Sequence, residues 1–208
     1  LDALPSAVNA MDQPTIDGIN TWFASKAVSE LGLKVVVSGV GGDELFLGYN
    51  SFKQLPRLVN IMKIVSSLPG GMVIANQIAN LQAKRKGNLR WRYAPLWLQK
   101  ISTAWWLRRS IYTPDELINL IEGYKKYGSK DFSIEAWLTK KVGKFSSSSE
   151  LELAQIESMT YLRNQLLRDS DWASMSHSIE LRTPLVDSEL LKHLTPYTYT
   201  LNLSLADR

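Results

Sequence analysis

Residues 33–49, Leu-Lys-Val-Val-Val-Ser-Gly-Val-Gly-Gly-Asp-Glu-Leu-Phe-Leu-Gly-Tyr, constrain the fold more than any other stretch of the chain. Val35, Val36 and Val37 give it the β-branched composition of a buried strand. Ser38, Gly39, Val40, Gly41 and Gly42 follow, and their glycines let backbone N–H groups approach a ligand without intervening side chains. Asp43 and Glu44 then open an apolar-aromatic segment that reads as a helix start. Strand, glycine-rich turn, acid and helix is a common way to build a nucleotide site at the carboxyl end of a parallel sheet. The same order of residues also serves as a plain strand-to-helix turn with no ligand. Ser38, the paired acids and Tyr49 favour the functional reading.

The elements before this stretch support an α/β unit. Asp12-Gln13-Pro14 reads as a helix-start signal after an N-terminal loop over residues 1–14. Ile16, Ile19, Phe23, Ala27 and Leu31 recur at helical spacing, and Gly32 fits the position just past a helix end. Only one convincing strand is legible, and a single strand is not a sheet. The expectation is therefore that its partners lie outside the segment. A start at Leu1 rather than Met and an end at Ala206-Asp207-Arg208 give the same expectation of an internal fragment.

Past Tyr49 the pattern becomes helical. Residues 51–67 and 72–86 read as helices, separated by Pro69-Gly70-Gly71. Residues 90–109 interleave Trp91, Tyr93, Trp97, Trp105 and Trp106 with Arg90, Arg92, Lys100, Arg108 and Arg109. Alternating basic and stacking residues can make a nucleic-acid surface. A helical hairpin whose tryptophans pack while its arginines reach water explains the stretch equally and is preferred. Pro114-Asp115-Glu116 reads as the start of a short helix with Leu117, Leu120 and Ile121 on its apolar face. A serine-rich joint over residues 143–149 precedes a helix capped by Ser149 and Glu152, with Ile156, Met159, Leu162 and Leu166 on one face.

Composition narrows the function classes. The chain has 208 residues, 45% of them hydrophobic and 21% charged, which is ordinary globular composition. A net charge of +4 does not by itself argue for nucleic acid. There is no cysteine, which excludes disulfides, thiolate catalysis and cysteine metal sites and fits a cytoplasmic protein. His177 and His193 are too isolated for a histidine-rich metal site. No apolar run reaches the length of a membrane span and nothing reads as a signal peptide, so no membrane partner is expected.

A second constellation, residues 166–187, is dense in charge and hydroxyls. Arg168, Asp169, Asp171, Glu180, Arg182 and Asp187 can satisfy one another as an internal ion-pair network. Taken alone, that structural reading is the preferred one.

Together the two stretches carry a family resemblance. Ser38-Gly39-x-Gly41-Gly42-Asp43-Glu44-x-Phe46-x-Gly48-Tyr49 is followed by Asp171-x-x-Ser174-Met175-x-x-Ser178-x-Glu180-x-Arg182-x-Pro184-x-x-Asp187. The pair resembles the synthetase domain of the glutamine-dependent asparagine synthetases, and Met11-Asp12-Gln13-Pro14-Thr15-Ile16-Asp17 is similar to their bacterial amidotransferase relatives. The resemblance implies an α/β, adenine-nucleotide α-hydrolase-like (ATP pyrophosphatase) fold, present only in part, mostly helical with few parallel strands. Residues 1–208 would all belong to one synthetase domain: a nucleotide-site half over 1–50, a helical region over 51–149, and a helical region with the second site loop over 150–208.

The implied chemistry is ATP-dependent adenylation of a carboxylate, typically aspartate, release of pyrophosphate, and displacement of AMP by ammonia. By the resemblance, Ser38, Gly39, Gly41 and Gly42 would lie against ATP, and Asp43 would act in catalysis and help hold Mg²⁺. Glu180 would act at the substrate end of the cleft, with Arg182 and Asp187 supporting its loop. Mg²⁺ near backbone N–H donors would neutralise the phosphate charge that such a transfer develops.

Several features depart from the family. The Ser-Gly-Gly-x-Asp-Ser pyrophosphate loop, the glutaminase domain that would supply ammonia, and a downstream catalytic lysine are not in this sequence, so the segment alone is expected to be inactive. Val40 stands where asparagine-forming members carry glutamate, Asp17 where they carry arginine, and Trp172 where many carry lysine or arginine. An apolar Val40 does not bind an amine, which leaves the acceptor open between aspartate and another carboxylate. Val40 and Trp172 also motivate a different class, a non-catalytic relative kept as a helical scaffold.

Overall fold

The computed structural model describes residues 2–113, 116, 120, 134–143, 148–194 and 196–197. Two compact units divide the chain: Leu1–Gly48 with Ile156–Arg208, and Tyr49–Gln155.

The first unit contains α1 (Leu4–Ala10), α2 (Gly18–Glu30), β1 (Val35–Val37), α3 (Gly42–Phe46), a π-wound segment (Ser158–Leu166), α10 (Leu167–Met175) and β2 (Glu180–Arg182). A 3₁₀ turn (Pro184–Val186) and a helix over 188–194 follow. α1 replaces part of the expected N-terminal loop. Pro5 sits in its first turn, where a missing N–H is harmless. Ala7 is buried in a core with Trp22, Trp172 and Ala173.

α2 forms near the expected bounds but buries a different face. Ile16 and Leu31 are 80% and 76% exposed, while Gly18, Trp22 and Ser25 are buried. The reason is close packing on α10: a Cβ at Gly18 would lie 2.4 Å from Cζ2 of Trp172. Periodicity located the helix, but the neighbour selected the face.

β1 does have a partner within the chain. β2 pairs with it in parallel, in the register Val35–Glu180, Val36–Leu181 and Val37–Arg182. This overturns the expectation that every neighbour of β1 lies outside the segment. β1 is also not buried, since Val35 and Val37 are 42% and 74% exposed. A two-stranded ladder covers one edge of each strand and leaves much of both faces open.

The second unit contains α4 (Asn50–Ser67), α5 (Gly71–Lys86), a 3₁₀ turn (Leu89–Tyr93), α6 (Ala94–Trp97), α7 (Ile101–Arg109), α8 (Ile134–Val142) and most of α9 (Ser149–Glu157). α4 and α5 fall where the sequence places them. Gly87 ends α5 with φ +62°, and the Lys84-Arg85-Lys86 run lies in its last turn, where cations favour the helix dipole. The basic-aromatic stretch folds as a turn and two short helices rather than a plain hairpin, with Trp97 and Trp105 buried as the packing reading expects but Trp91 40% exposed.

Two local expectations change. Leu151 N–H reaches Oγ of Ser148 at 3.5 Å, so Ser148 rather than Ser149 precedes α9 as the capping hydroxyl. Helix continues from α9 through the π-wound turns into α10, well past the expected end near residue 167. Residues 144–147 of the serine-rich joint, and Pro114, Asp115, Leu117 and Ile121, lie outside the described residues. Among the described residues no helix is long and apolar enough to cross a membrane.

Candidate functional site

The two sequence constellations meet on the β1–β2 ladder. The Ser38 N–H donates to the Arg182 carbonyl at 2.8 Å, and the Glu180 N–H donates to the Lys34 carbonyl at 2.8 Å. Parallel pairing puts both strands' carboxyl ends side by side, so the glycine turn and the Thr183–Val186 segment leave the ladder together. α3 packs against the 3₁₀ turn that follows β2.

The four residues expected at a nucleotide separate into different roles. Ser38 Oγ accepts the Val40 N–H at 3.2 Å, and the Gly42 N–H donates to Gly39 O at 3.0 Å, so the turn closes on itself. Gly41 adopts φ +93°, and a Cβ there would lie 2.4 Å from Cγ1 of Val186. A Cβ at Gly42 would lie 3.2 Å from Cδ1 of Leu185. Gly41 is thus required by packing against the second constellation, and Gly42 lies in close contact with it. A Cβ at Gly39 would meet nothing within 4 Å. Gly39 is the glycine that faces open space.

Asp43 lies in the first turn of α3 and is exposed, whereas Glu44 beside it is buried at 4%. A Cβ at Gly48 would fall 2.2 Å from Oδ1 of Asp43, so the glycine leaves room for that carboxylate. Among the described residues, no group of three or more acidic, histidine or cysteine side chains could hold a metal. A single carboxylate still fits Mg²⁺, which keeps several waters and commonly takes one or two carboxylates together with substrate phosphates.

Glu180 lies at the other end of β2. Its Oε1 accepts from Arg182 Nε at 2.8 Å, with both side chains about two-thirds exposed. Solvent-exposed pairs of this kind contribute little to stability. Glu180 and Asp171 line one cavity of about 270 Å³, with Ser170, Ser174, Met175 and Thr183. Asp171 belongs to the quoted motif, yet the sequence reading gave it a place only in an ion-pair network and none at the site. Residues 170, 171, 174 and 175 share one helix face, and that spacing could have grouped them. Asp43 does not line this cavity.

The expected ion-pair network is dispersed over several partners. Arg168 Nε binds Asp12 Oδ2 at 2.6 Å. Asp169 is buried, accepting from Thr15 Oγ1 at 2.7 Å and from Trp172 Nε1 at 3.1 Å. Asp17 accepts from the Tyr161 hydroxyl at 2.9 Å and from Gln165. Residues 12–17 therefore dock along the helix that leads to the cavity. Asp187 Oδ1 accepts the N–H groups of Glu189 and Leu190 at 3.0 and 2.9 Å, capping the helix over 188–194. Among the described residues, only Glu180 and Arg182 pair within the expected set.

Trp172 is a core residue. It is 8% exposed, packs with Ala7, Trp22 and Ala173, and does not line the cavity. The sequence reading counted Trp172 as a polar group lost from the expected cleft; the structure places it in the core and outside this cavity's lining. His177, just beyond α10, packs its ring 4.5 Å from Trp22, and its Nε2 is buried without a hydrogen-bond partner among the described residues. Burial holds its pKa below the usual histidine value, aided by Lys26 and opposed by Glu30.

The asparagine synthase family profile matches residues 1–203. The chain is 26% identical over 190 residues to asparagine synthetase (glutamine-hydrolyzing) 1 of Bacillus subtilis. It is 23% identical over 205 residues to proteins of Mycobacterium bovis and Mycobacterium tuberculosis, each named "Putative asparagine synthetase (glutamine-hydrolyzing)". Each match covers 90% of this chain and 28% of the relative's length. No solved structure is significantly similar.

Proposed function

The chain belongs to the asparagine synthase family, and on that premise we propose that it forms part of an ATP-dependent carbon–nitrogen ligase that makes an amide from a carboxylate. The observation that carries this reading is the parallel β1–β2 pairing. It sets the Ser38–Gly42 turn, with Asp43 just beyond it, beside the segment that follows Glu180 and Arg182.

In this reading a substrate carboxylate oxygen bonds to the α-phosphorus of ATP and pyrophosphate leaves. Ammonia then bonds to the acyl carbon, AMP leaves, and the nitrogen loses a proton. The backbone at Ser38 and Gly39 lies against the nucleotide, with Gly39 giving open approach. Gly41 and Gly42 hold the turn in place through Leu185 and Val186. Asp43 is the group that would hold Mg²⁺, whose bound charge offsets that of the phosphates. Glu180 and Asp171 supply carboxylates that hold hydrogen-bond donors of the acceptor in their shared cavity. Ammonia comes from a glutaminase domain, as the name of the Bacillus subtilis relative suggests, and the setting is cytoplasmic.

Aspartate is the first candidate acceptor. Val40 favours a second reading, another carboxylate acceptor, because an apolar side chain at the turn has no polar group for an amine. In the intact protein, Asp43→Asn should abolish pyrophosphate release on addition of ATP, Mg²⁺ and acceptor. Normal release from that variant would remove the assignment.

A further inference from the structure

The unit Tyr49–Gln155 holds a cavity of about 310 Å³ that the proposed ligase chemistry does not use. Ser51, Leu55 and Leu58 line it from α4, Arg90 and Trp91 from the 3₁₀ turn, and Arg108 from α7. Its volume is at the small end of ordinary small-molecule pockets, which span about 300–1,000 Å³. The lining is mostly apolar and includes two arginines and no carboxylate. Arg90 uses Nη2 to donate to Ile111 O at 3.2 Å, which leaves other guanidinium donors for a ligand. Arg108 is exposed, and no carboxylate among the described residues pairs with it.

Ser51, 6% exposed, adds a polar side chain to the lining. The stretch lacks the row of open rings that a single-stranded nucleic acid stacks on, because Trp97 and Trp105 are buried.

We propose that this cavity binds a small carboxylic acid with an apolar body. The carboxylate pairs with Arg108 and Arg90, the apolar body packs on Leu55, Leu58 and Trp91, and Ser51 supplies the inner hydroxyl. This site stands independently of the ligase reading.

The test titrates hydrocinnamate and isocaproate into the full chain, followed by tryptophan fluorescence and saturation-transfer NMR. At least one acid should bind saturably in the millimolar range. Arg108→Met should weaken it by about tenfold or more, the usual effect of losing a charged hydrogen bond, and because Arg108 is exposed that variant should fold. The neutral amide of the same acid should bind as weakly. Leu58→Glu should repel the acid while sparing the amide. No saturable binding of either acid, or equal binding of acid and amide, overturns the proposal. So does salt-dependent binding of oligouridylate lost in Arg108→Met, which assigns the arginine to RNA. Self-association abolished by Leu58→Glu also overturns it, by making the cavity an interface between copies.

Discussion

The backbone N–H of Ser38 donates to the carbonyl of Arg182 at 2.8 Å, across 144 positions of sequence, and this bond extends the β1–β2 ladder into the glycine turn. Each constellation is locally incomplete. β1 lacks a neighbour until β2 arrives, and the turn lacks a wall until Leu185 and Val186 close against it.

Gly41 and Gly39 should respond differently to the same methyl group. Gly41→Ala places a side chain at φ +93° and 2.4 Å from Val186. It should cost upwards of about 1 kcal/mol of stability, seen as a lower denaturation midpoint. Gly39→Ala adds a methyl into open space and should leave the midpoint nearly unchanged. On the proposed ligase reading, it should still impair ATP-dependent pyrophosphate release in the intact protein. Equal stability losses would show that the two glycines do not divide these roles.

Trp172→Lys tests the core assignment. Restoring the residue type expected from the family resemblance would bury an ammonium among Ala7, Trp22 and Ala173, empty the space that Gly18 accommodates, and leave Asp169 without its indole donor. Removing a buried tryptophan typically costs about 3–5 kcal/mol. Thermal melting should show a large loss of stability. A variant as stable as the parent would place Trp172 outside the core.

Glu180→Gln should separate activity from folding. Its exposed pair with Arg182 contributes at most about 1 kcal/mol, so the melting midpoint should barely move. If Glu180 serves the acceptor, turnover in the intact enzyme should fall by an order of magnitude or more. Asp171→Asn should act chiefly on the acceptor's KM. Unchanged kinetics in both variants would remove the cavity from the reaction.

Two partly buried groups set opposite pH slopes. Burial raises the Glu152 pKa above 4.5, with Glu135 adding to the shift and Lys63 opposing it. The folded state therefore holds that proton more tightly, and stability is lost as pH rises from 4.5 through the raised value. Glu152→Gln should remove this loss and stabilise the protein at neutral pH. His177 has a lowered pKa, so the unfolded chain binds a proton that the folded chain refuses. Stability should fall as pH drops below 6.5 toward the lowered folded value. Denaturation midpoints from pH 4 to 8, compared with those of Glu152→Gln and His177→Gln, check both signs. A flat profile unchanged by either variant would contradict them.

Much of the fold was legible wherever local chemistry decides local structure. The valine run, the Gly32 stop and the helical stretches over 51–67 and 72–86, parted by Pro69-Gly70-Gly71, all point to elements that form close to their expected bounds. β2 was not legible, because Glu180, Leu181 and Arg182 have no strand composition and become a strand only by pairing with β1. The buried face of α2 was misassigned because the apolar residues assigned to it include Ile16 and Leu31, which flank the helix and are exposed, while Gly18 is buried for its lack of a side chain.

For the candidate site, sequence by itself determined which residue types are present: a serine–glycine turn, Asp43, and a distant set containing Asp171 and Glu180. These are properties of order and spacing along the chain. Tertiary structure decided which of them meet. It put Asp171 and Glu180 in one cavity, tied Arg168 and Asp169 to residues 12–17, and buried Trp172 in the core. It also divided one glycine turn into Gly41, held by Val186, and Gly39, left open. The physical reason is that a side chain's role depends on what stands within a few ångströms of it, and for most of these residues that neighbour lies more than a hundred positions away.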